Sequence, residues 1–224
     1  MAVATRTAGV SASAPEALAG DAALGLRERK KLRTERDLQD ATLRLAIERG
    51  FDQVTIDDIA AEVEVSKTTF YRYFETKEDA LLGKSSHKAD GLADALAERP
   101  ADEPTMVAVR TAMMSFVRSY EHDRDRSLAV GRLIRTTPSL QARNLEHQAA
   151  FESVLADFVR TRLEAGAPPD PELRSRVVAA IIVATIRSAI DHWRDTDGAE
   201  HLHDVMDASL AMLAEDRAAL STPS

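Results

Sequence analysis

Cysteine is absent from the 224 residues, which excludes disulfides, thiolate nucleophiles and thiolate metal sites and fits a reducing compartment. Aromatic residues make up only 4%, and β-branched residues are scattered, so a sheet-rich core has little to build from. Long hydrophobic runs are missing too. The longest, Val177 to Val183 continuing through Ala184 to Ile186, ends at Arg187 and falls well short of the roughly 18 residues that a bilayer span needs. No secretory signal is legible in the first residues. A soluble, cytoplasmic protein without a membrane partner is therefore expected. Neither a Gly-x-Ser-x-Gly elbow nor a Gly-rich phosphate loop occurs, which removes the best-marked catalytic motifs.

What is present is alanine, leucine, arginine and glutamate, the residues of helical cores, in a chain long enough for two domains. The net charge of −8 argues against a protein coated in nucleic acid, but the charges are segregated. Arg27, Arg29, Lys30, Lys31, Arg33 and Arg36 cluster in one short stretch, and Ser66 to Lys77 is basic again. Between them, Asp37 to Val65 holds eight acids against Arg44 and Arg49. Two positive elements flanking an acidic one suit approach to phosphates; solvated helix faces are the plainer alternative. Residues 1–26 are rich in Ala, Ser, Thr and Gly and read as a disordered tail, with a second short tail over 219–224.

From Arg29 to Arg49 the residues Leu38, Ala41, Thr42, Leu45 and Ala46 share one helical face, and Gly50 is the C-cap. Thr55 caps a second helix, with Asp58 three residues on and Ile56, Ile59, Ala60 and Val63 facing inward. A turn at Glu64 and Val65 leads to Ser66, the cap of a third helix of about two turns. Thr76 caps a fourth, expected to run from Lys77 towards Arg99 and to stop at Pro100. Beyond it Pro104 stands as an N1 candidate before the stripe Met106, Val109, Met113, Phe116, Val117 and Tyr120. Leu128 to Thr136 forms a short helix. A long one follows, with Leu140, Asn144, His147, Phe151, Leu155 and Phe158 on one side, ending at Gly166 beside Pro168, Pro169 and Pro171. The helix from Glu172 to about Thr196 is apolar on two faces, one through Leu173, Val177, Ala180, Ile181 and Ala184, the other through Val178, Ile182, Thr185, Ile186, Ala189 and Trp193. Such a helix is expected to be covered on both sides. The last helix turns Leu202, Val205, Met206, Ser209, Leu210 and Leu213 inward.

Two helices joined by a short turn, the second capped by Ser66, form a helix-turn-helix. With Val65 and Phe70 directed into a small core, Lys67, Thr68, Tyr71 and Arg72 project outward and offer cations and hydroxyls to phosphates and base edges. Tyr71 and Tyr73 are both expected on a solvated surface.

The sequences Thr55-Ile56-Asp57-Asp58-Ile59-Ala60, Val65-Ser66-Lys67-Thr68-Thr69-Phe70-Tyr71-Arg72-Tyr73-Phe74 and Lys77-Glu78-Asp79-Ala80-Leu81, with Glu48-Arg49-Gly50-Phe51 upstream, resemble the signature of the TetR family over about Arg33 to Leu82. The resemblance implies an all-α fold: a three-helix helix-turn-helix head (27–76) joined to a larger helical effector-binding and dimerisation domain (77–218). It implies contacts to double-stranded operator DNA from Arg33, Thr55, Ser66, Lys67, Thr68, Thr69, Tyr71, Tyr73 and Lys77, and a homodimer built on the last two helices. Glu64 departs from the pattern, since glycine is frequent there. The stretch Leu133-Ile134-Arg135-Thr136-Thr137-Pro138-Ser139-Leu140 resembles the subgroup tied to mycofactocin regulation and acyl-CoA-like ligands.

A small, apolar effector is expected between the middle helices, against Met113, Phe116, Val117, Tyr120, Phe151, Leu155, Phe158, Ile182 and Ile186, with Asn144, His147 and Thr185 as polar anchors; a plain core is the alternative for each. A closed cavity of several hundred Å³ would separate a sensor from a constitutive DNA-binding or scaffold protein, which would have a filled core. An enzyme built on His201, His203 and Asp204, or on Asp191 and His192, is disfavoured, because His-x-His on a helix points its rings to different faces. No catalytic group, metal or cofactor is expected.

Overall fold

Leu38, Ala41, Thr42, Leu45 and Ala46 are buried on one face of helix α1, Leu26–Arg49. A computed structural model describes the backbone of residues 25–164 and 170–220, and the side chains of these except residues 115, 164 and 213–220. The expected N-terminal tail before Gly25, the Gly166, Pro168 and Pro169 turn, the last four residues and the inward side chain of Leu213 lie outside the described residues. Among the described residues there is no strand.

Helix α1 stops at Gly50, whose N–H donates to the Ala46 carbonyl at 3.0 Å. After a 3-10 turn, Phe51–Gln53, helix α2, Ile56–Glu62, opens with a capping box. The Asp58 N–H donates to Thr55 Oγ1 at 3.1 Å, and the Thr55 N–H donates to the Asp58 carboxylate at 2.9 Å. Such a cap contributes about 1 kcal/mol. The chain then reverses at Glu64, φ 54°. Glutamate thus adopts the left-handed backbone that glycine takes more readily, at a cost of about 1 kcal/mol. Helix α3, Lys67–Tyr73, begins at Ser66, whose Oγ accepts from the Thr69 N–H at 3.1 Å. Leu38, Leu45, Val54, Ile59, Phe70 and Phe74 form the core that α1, α2 and α3 share. Tyr73 belongs to that core at 7% exposure, not to the solvated surface expected of it. Three residues beyond Phe70, it falls on the same helical face.

The single helix expected from Lys77 towards Arg99 is two helices, α4, Lys77–Leu82, and α5, Ser85–Ala97. Gly83 separates them at φ 78°, a backbone no α-helix contains, and its N–H closes α4 on the Asp79 carbonyl at 2.9 Å. A side chain there would also stand 3.2 Å from Cε of Lys88.

The larger part of the molecule contains α6, Thr105–His122, α7, Arg124–Thr136, α8, Pro138–Glu164, α9, Pro171–Asp195, and α10, Leu202–Leu220. Pro104 takes the N-cap of α6 instead of N1. Met106, expected inward, is 40% exposed, because it lies in the first turn of α6, ahead of the buried Val109, Met113 and Val117. Helices α8 and α9 pack along much of their length, with α5 against α8 and α10 against α9 and α6. Leu155, Ile182, Trp193, Leu202 and Met206 are central to this core. Among the described residues, helix α9 is covered on one side only. Ile182, Ile186, Ala189 and Trp193 are buried, whereas Leu173, Val177 and Ile181 remain 60%, 48% and 42% exposed.

A third apolar cluster joins the two parts: Ala46 of α1, Phe51, Leu81 and Leu82 of α4, Ile134 of α7 and Leu140 of α8. Two ion pairs reinforce the joint. Arg126 of α7 donates to Asp40 of α1 at 2.7 Å, and Arg143 of α8 donates to the buried Asp79 of α4 at 2.9 and 2.6 Å. No helix among the described residues is long and apolar enough to cross a membrane.

Candidate nucleic-acid interface and ligand cavity

With Phe70 and Tyr73 turned inward, α3 has one outward face. Lys67, Thr68, Tyr71 and Arg72 are exposed on it, and Tyr71 is 50% exposed with its ring edge-on to Phe70. Lys67 Nζ donates to Asp57 at 2.9 Å across the turn, and this contact raises its pKa. An exposed pair of this kind is weak, and a phosphate can displace the carboxylate. Ser66, Thr69 and Thr55 are occupied at helix caps. Ser66 Oγ lies 2.9 Å from Thr69 Oγ1, so these hydroxyls fix where α3 begins. Arg33 is exposed on α1, 4.0 Å from Asp37.

Lys77 is placed differently from the expectation. Its ammonium donates to the carbonyls of Phe51 and Val54, both at 2.9 Å, and sits 4.5 Å from the Phe51 ring centroid. Those carbonyls flank the 3-10 turn, and that of Phe51 also accepts from the Val54 N–H at 3.2 Å. The side chain thus ties α4 to the loop before α2 and is turned away from the outward face of α3. Tyr73 is likewise withdrawn, and the Arg72 guanidinium lies over its ring at 5.3 Å.

In the larger domain, a cavity of about 140 Å³ lies between α6, α8 and α9. Of the expected residues it is lined by Met113, Phe116, Tyr120, Asn144, His147, Phe151, Leu155 and Ile186. Val117, Ile182 and Thr185 do not line it. The first two are filled core, and the Thr185 hydroxyl donates to the Ile181 carbonyl of its own helix at 2.9 Å. Phe158, also expected there, packs on the core and carries the Arg162 guanidinium over its ring at 4.7 Å. Lys88, Arg187 and Arg194 line the cavity and were not expected. No sequence signal marks Arg187 and Arg194, since α9 also carries Arg174 and Arg176, which are exposed. At about 140 Å³ the space is below the several hundred Å³ typical of drug-sized ligands. A second cavity of about 190 Å³ adjoins it and shares Lys88, Ser119, Tyr120, Asn144, His147 and Arg194.

His147 is buried at 7% exposure, and its Nε2 has no hydrogen-bond partner. Burial, and then the charges of Lys88 and Arg143, push its pKa from 6.5 down to about 4. The unfolded chain takes up a proton near pH 6.5 that the folded chain refuses until about pH 4, so stability contributed by the neutral ring is lost as pH falls through that window. Between pH 7 and pH 5 the loss from this residue should be about 2 kcal/mol. Urea unfolding of the wild type and of His147→Gln at both pH values should show the difference between them shrinking by that amount; a pH-independent difference contradicts it.

His203 Nδ1 lies 3.0 Å from Met114 Sδ, and His201 is exposed beside Glu121 at 3.7 Å. Among the described residues no three His, Asp or Glu side chains are grouped to hold a metal ion.

Comparison with known proteins bears on both sites. Residues 38–82 match the family described as bacterial regulatory proteins, tetR family, and residues 103–218 match the MftR C-terminal domain. The HTH-type transcriptional regulator TcmR of Streptomyces glaucescens is 33% identical over 182 residues, covering 77% of this chain and 80% of its own. MftR of Mycobacterium tuberculosis, named for regulation of mycofactocin biosynthesis, is 30% identical over 168 residues, covering 74% of this chain and 82% of its own. Among solved structures, the transcriptional regulator FadR of Bacillus subtilis in complex with stearoyl-CoA is similar in fold. Its TM-score is 0.59 at 20% identity, over 80% of this chain and 96% of that one.

Proposed function

We propose, from the premise that this chain belongs to the TetR family of bacterial regulatory proteins, that it is a transcriptional repressor which binds a palindromic operator as a homodimer and is released by a small apolar effector. The observation that carries the DNA-binding part is the outward face of α3. Lys67, Thr68, Tyr71 and Arg72 stand exposed together while Phe70 and Tyr73 anchor the helix from behind. Tyr71 and Thr68 are suited to base edges, Lys67 and Arg72 to phosphates, and the hydroxyls of Thr55, Ser66 and Thr69 to the flanking backbone. Arg33 on α1 supplies a further cation. One α3 covers one half-site, so two-fold pairing of chains through α9 and α10 gives the affinity that a seven-residue helix lacks alone.

The effector enters this reading through the cavity between α6, α8 and α9. Its apolar lining accepts an apolar body, and occupancy would favour a head spacing that no longer matches the operator. An acyl-CoA-like molecule is one such effector; stearoyl-CoA is bound by the FadR of Bacillus subtilis, a likeness of fold. The small size of the cavity favours a second reading, in which the larger domain only dimerises and DNA binding is constitutive.

Fluorescence-anisotropy titration of operator duplex tests the interface. Tyr71→Ala should lower affinity about tenfold, the cost of roughly one good base contact, with thermal unfolding unchanged. Lys67→Ala should reduce the slope of log affinity against log salt by about one. Wild-type affinity in Tyr71→Ala would remove α3 from the recognition surface.

A further inference from the structure

Among the described residues, two buried side-chain nitrogens lack a hydrogen-bond partner, Arg194 Nε and His147 Nε2. Both residues line the two adjoining cavities. Buried polar atoms are nearly always paired, so two orphans on residues lining one space leave that place short of hydrogen-bond partners. Arg194 is nine-tenths buried, with side-chain exposure of 10%. Its Cδ and Nε lie against Gly131 of α7, where a Cβ would stand 2.7 Å from each. Glycine is costly inside a helix, and here its bare surface admits the arginine.

Lys88 stands in both cavities as well, and its ammonium makes no ion pair or hydrogen bond among the described residues. Two acids line the cavities. Asp191 is 3.6 Å from Arg194 and 57% exposed, and Asp123 caps α7 by accepting from the Arg126 N–H at 3.4 Å. The second cavity, with Lys88, Arg126 and Arg194 against Asp123, is therefore the polar one and carries an excess of positive charge.

We propose that this polar cavity binds the carboxylate of the effector through Lys88, Arg194, Asn144 and His147, with the apolar body in the neighbouring cavity. The inference rests on the effector reading above and specifies its ligand as an apolar acid. A carboxylate can accept from the Arg194 guanidinium and Lys88 Nζ, and the neutral imidazole can donate through Nε2. The same cavity reaches the head. Leu81 and Leu82 of α4 line it, as does Arg126, whose guanidinium holds Asp40 of α1. A bound carboxylate competes with Asp40 for Arg126 and so loosens the joint on which the head sits.

Calorimetric titration of the full chain with octanoate, octanol and octanoyl-CoA tests this. Octanoate should bind about tenfold more tightly than octanol, and Lys88→Met should erase that preference while octanol affinity is kept. Arg194→Met should do the same, and serves if Lys88→Met fails to fold. Asp40→Asn, which releases Arg126, should tighten octanoate by about threefold and leave octanol unchanged. Equal binding of octanol and octanoate overturns the carboxylate site and leaves the effector cavity standing. Octanoyl-CoA binding more tightly than octanoate, independently of Lys88, overturns it by assigning the anion to the phosphates of coenzyme A. Failure of all three to bind or to release operator overturns the site together with the effector reading.

Discussion

Ile181→Arg should yield a folded protein that sediments as a monomer and binds operator duplex about a hundredfold more weakly, as expected when two linked half-sites become one. Leu173, Val177 and Ile181 stand four residues apart on α9 and share one exposed face, and Met212 on α10 adds another exposed apolar side chain at 62%. Covering such side chains is favourable at about 25 cal/mol per Å² of apolar surface, so leaving them open is an incentive to pair. Arginine at 181 places a charge in the proposed seam without touching the core, because Ile181 points away from Ile182 and Trp193. Unfolding should therefore be little changed in the monomer apart from the lost dimer linkage. A variant that remains dimeric at micromolar concentration would show that α9 does not form the interface.

Arg143→Met should cost about 3 kcal/mol of stability, the penalty for leaving a buried carboxylate unpaired. Asp79 is 1% exposed and accepts three side-chain hydrogen bonds, two from Arg143 and one from Thr76 at 3.0 Å. Asp79→Asn in the same protein keeps the cap on α4 and removes the charge, so the double variant should recover more than half of the loss. Guanidinium unfolding of the two single variants and the double variant measures this. Independent, additive losses would mean that the carboxylate and guanidinium are not coupled. Because this pair joins α4 to α8, its loss should also blunt the change in operator affinity that effector produces.

The parts legible in the sequence are those governed by local chemistry. The inward face of α1, the Thr55–Asp58 capping box and the Ser66 cap follow from residue type and spacing over a few positions, and all three are present. The capping chemistry outweighed the misfit of Glu64, which kept the turn with a left-handed glutamate. Where expectation and structure part, a tertiary contact decides. Lys77 towards Arg99 reads as one helix, yet the positive φ of Gly83 splits it into two. The Tyr73 hydroxyl suggests a surface, whereas its position three residues beyond Phe70 places the ring in the core. Lys77 carries the charge of a phosphate ligand but meets the Phe51 and Val54 carbonyls, contacts more than twenty residues back in the chain. The cavity lining was legible for the apolar residues of α6 and α8. Its cations were not, because Lys88 lies on the helix that Gly83 redirects and Arg194 is buried only through its fit to Gly131.

The central claim is that two copies of α3 read a two-fold symmetric DNA sequence. Selection of bound duplexes from a random pool by the purified full chain, followed by sequencing, tests it most directly. The account predicts enrichment of an inverted repeat whose half-sites are separated by about one helical turn, with enrichment lost in Tyr71→Ala. A pool that stays random, or converges on a sequence without two-fold symmetry, would contradict it.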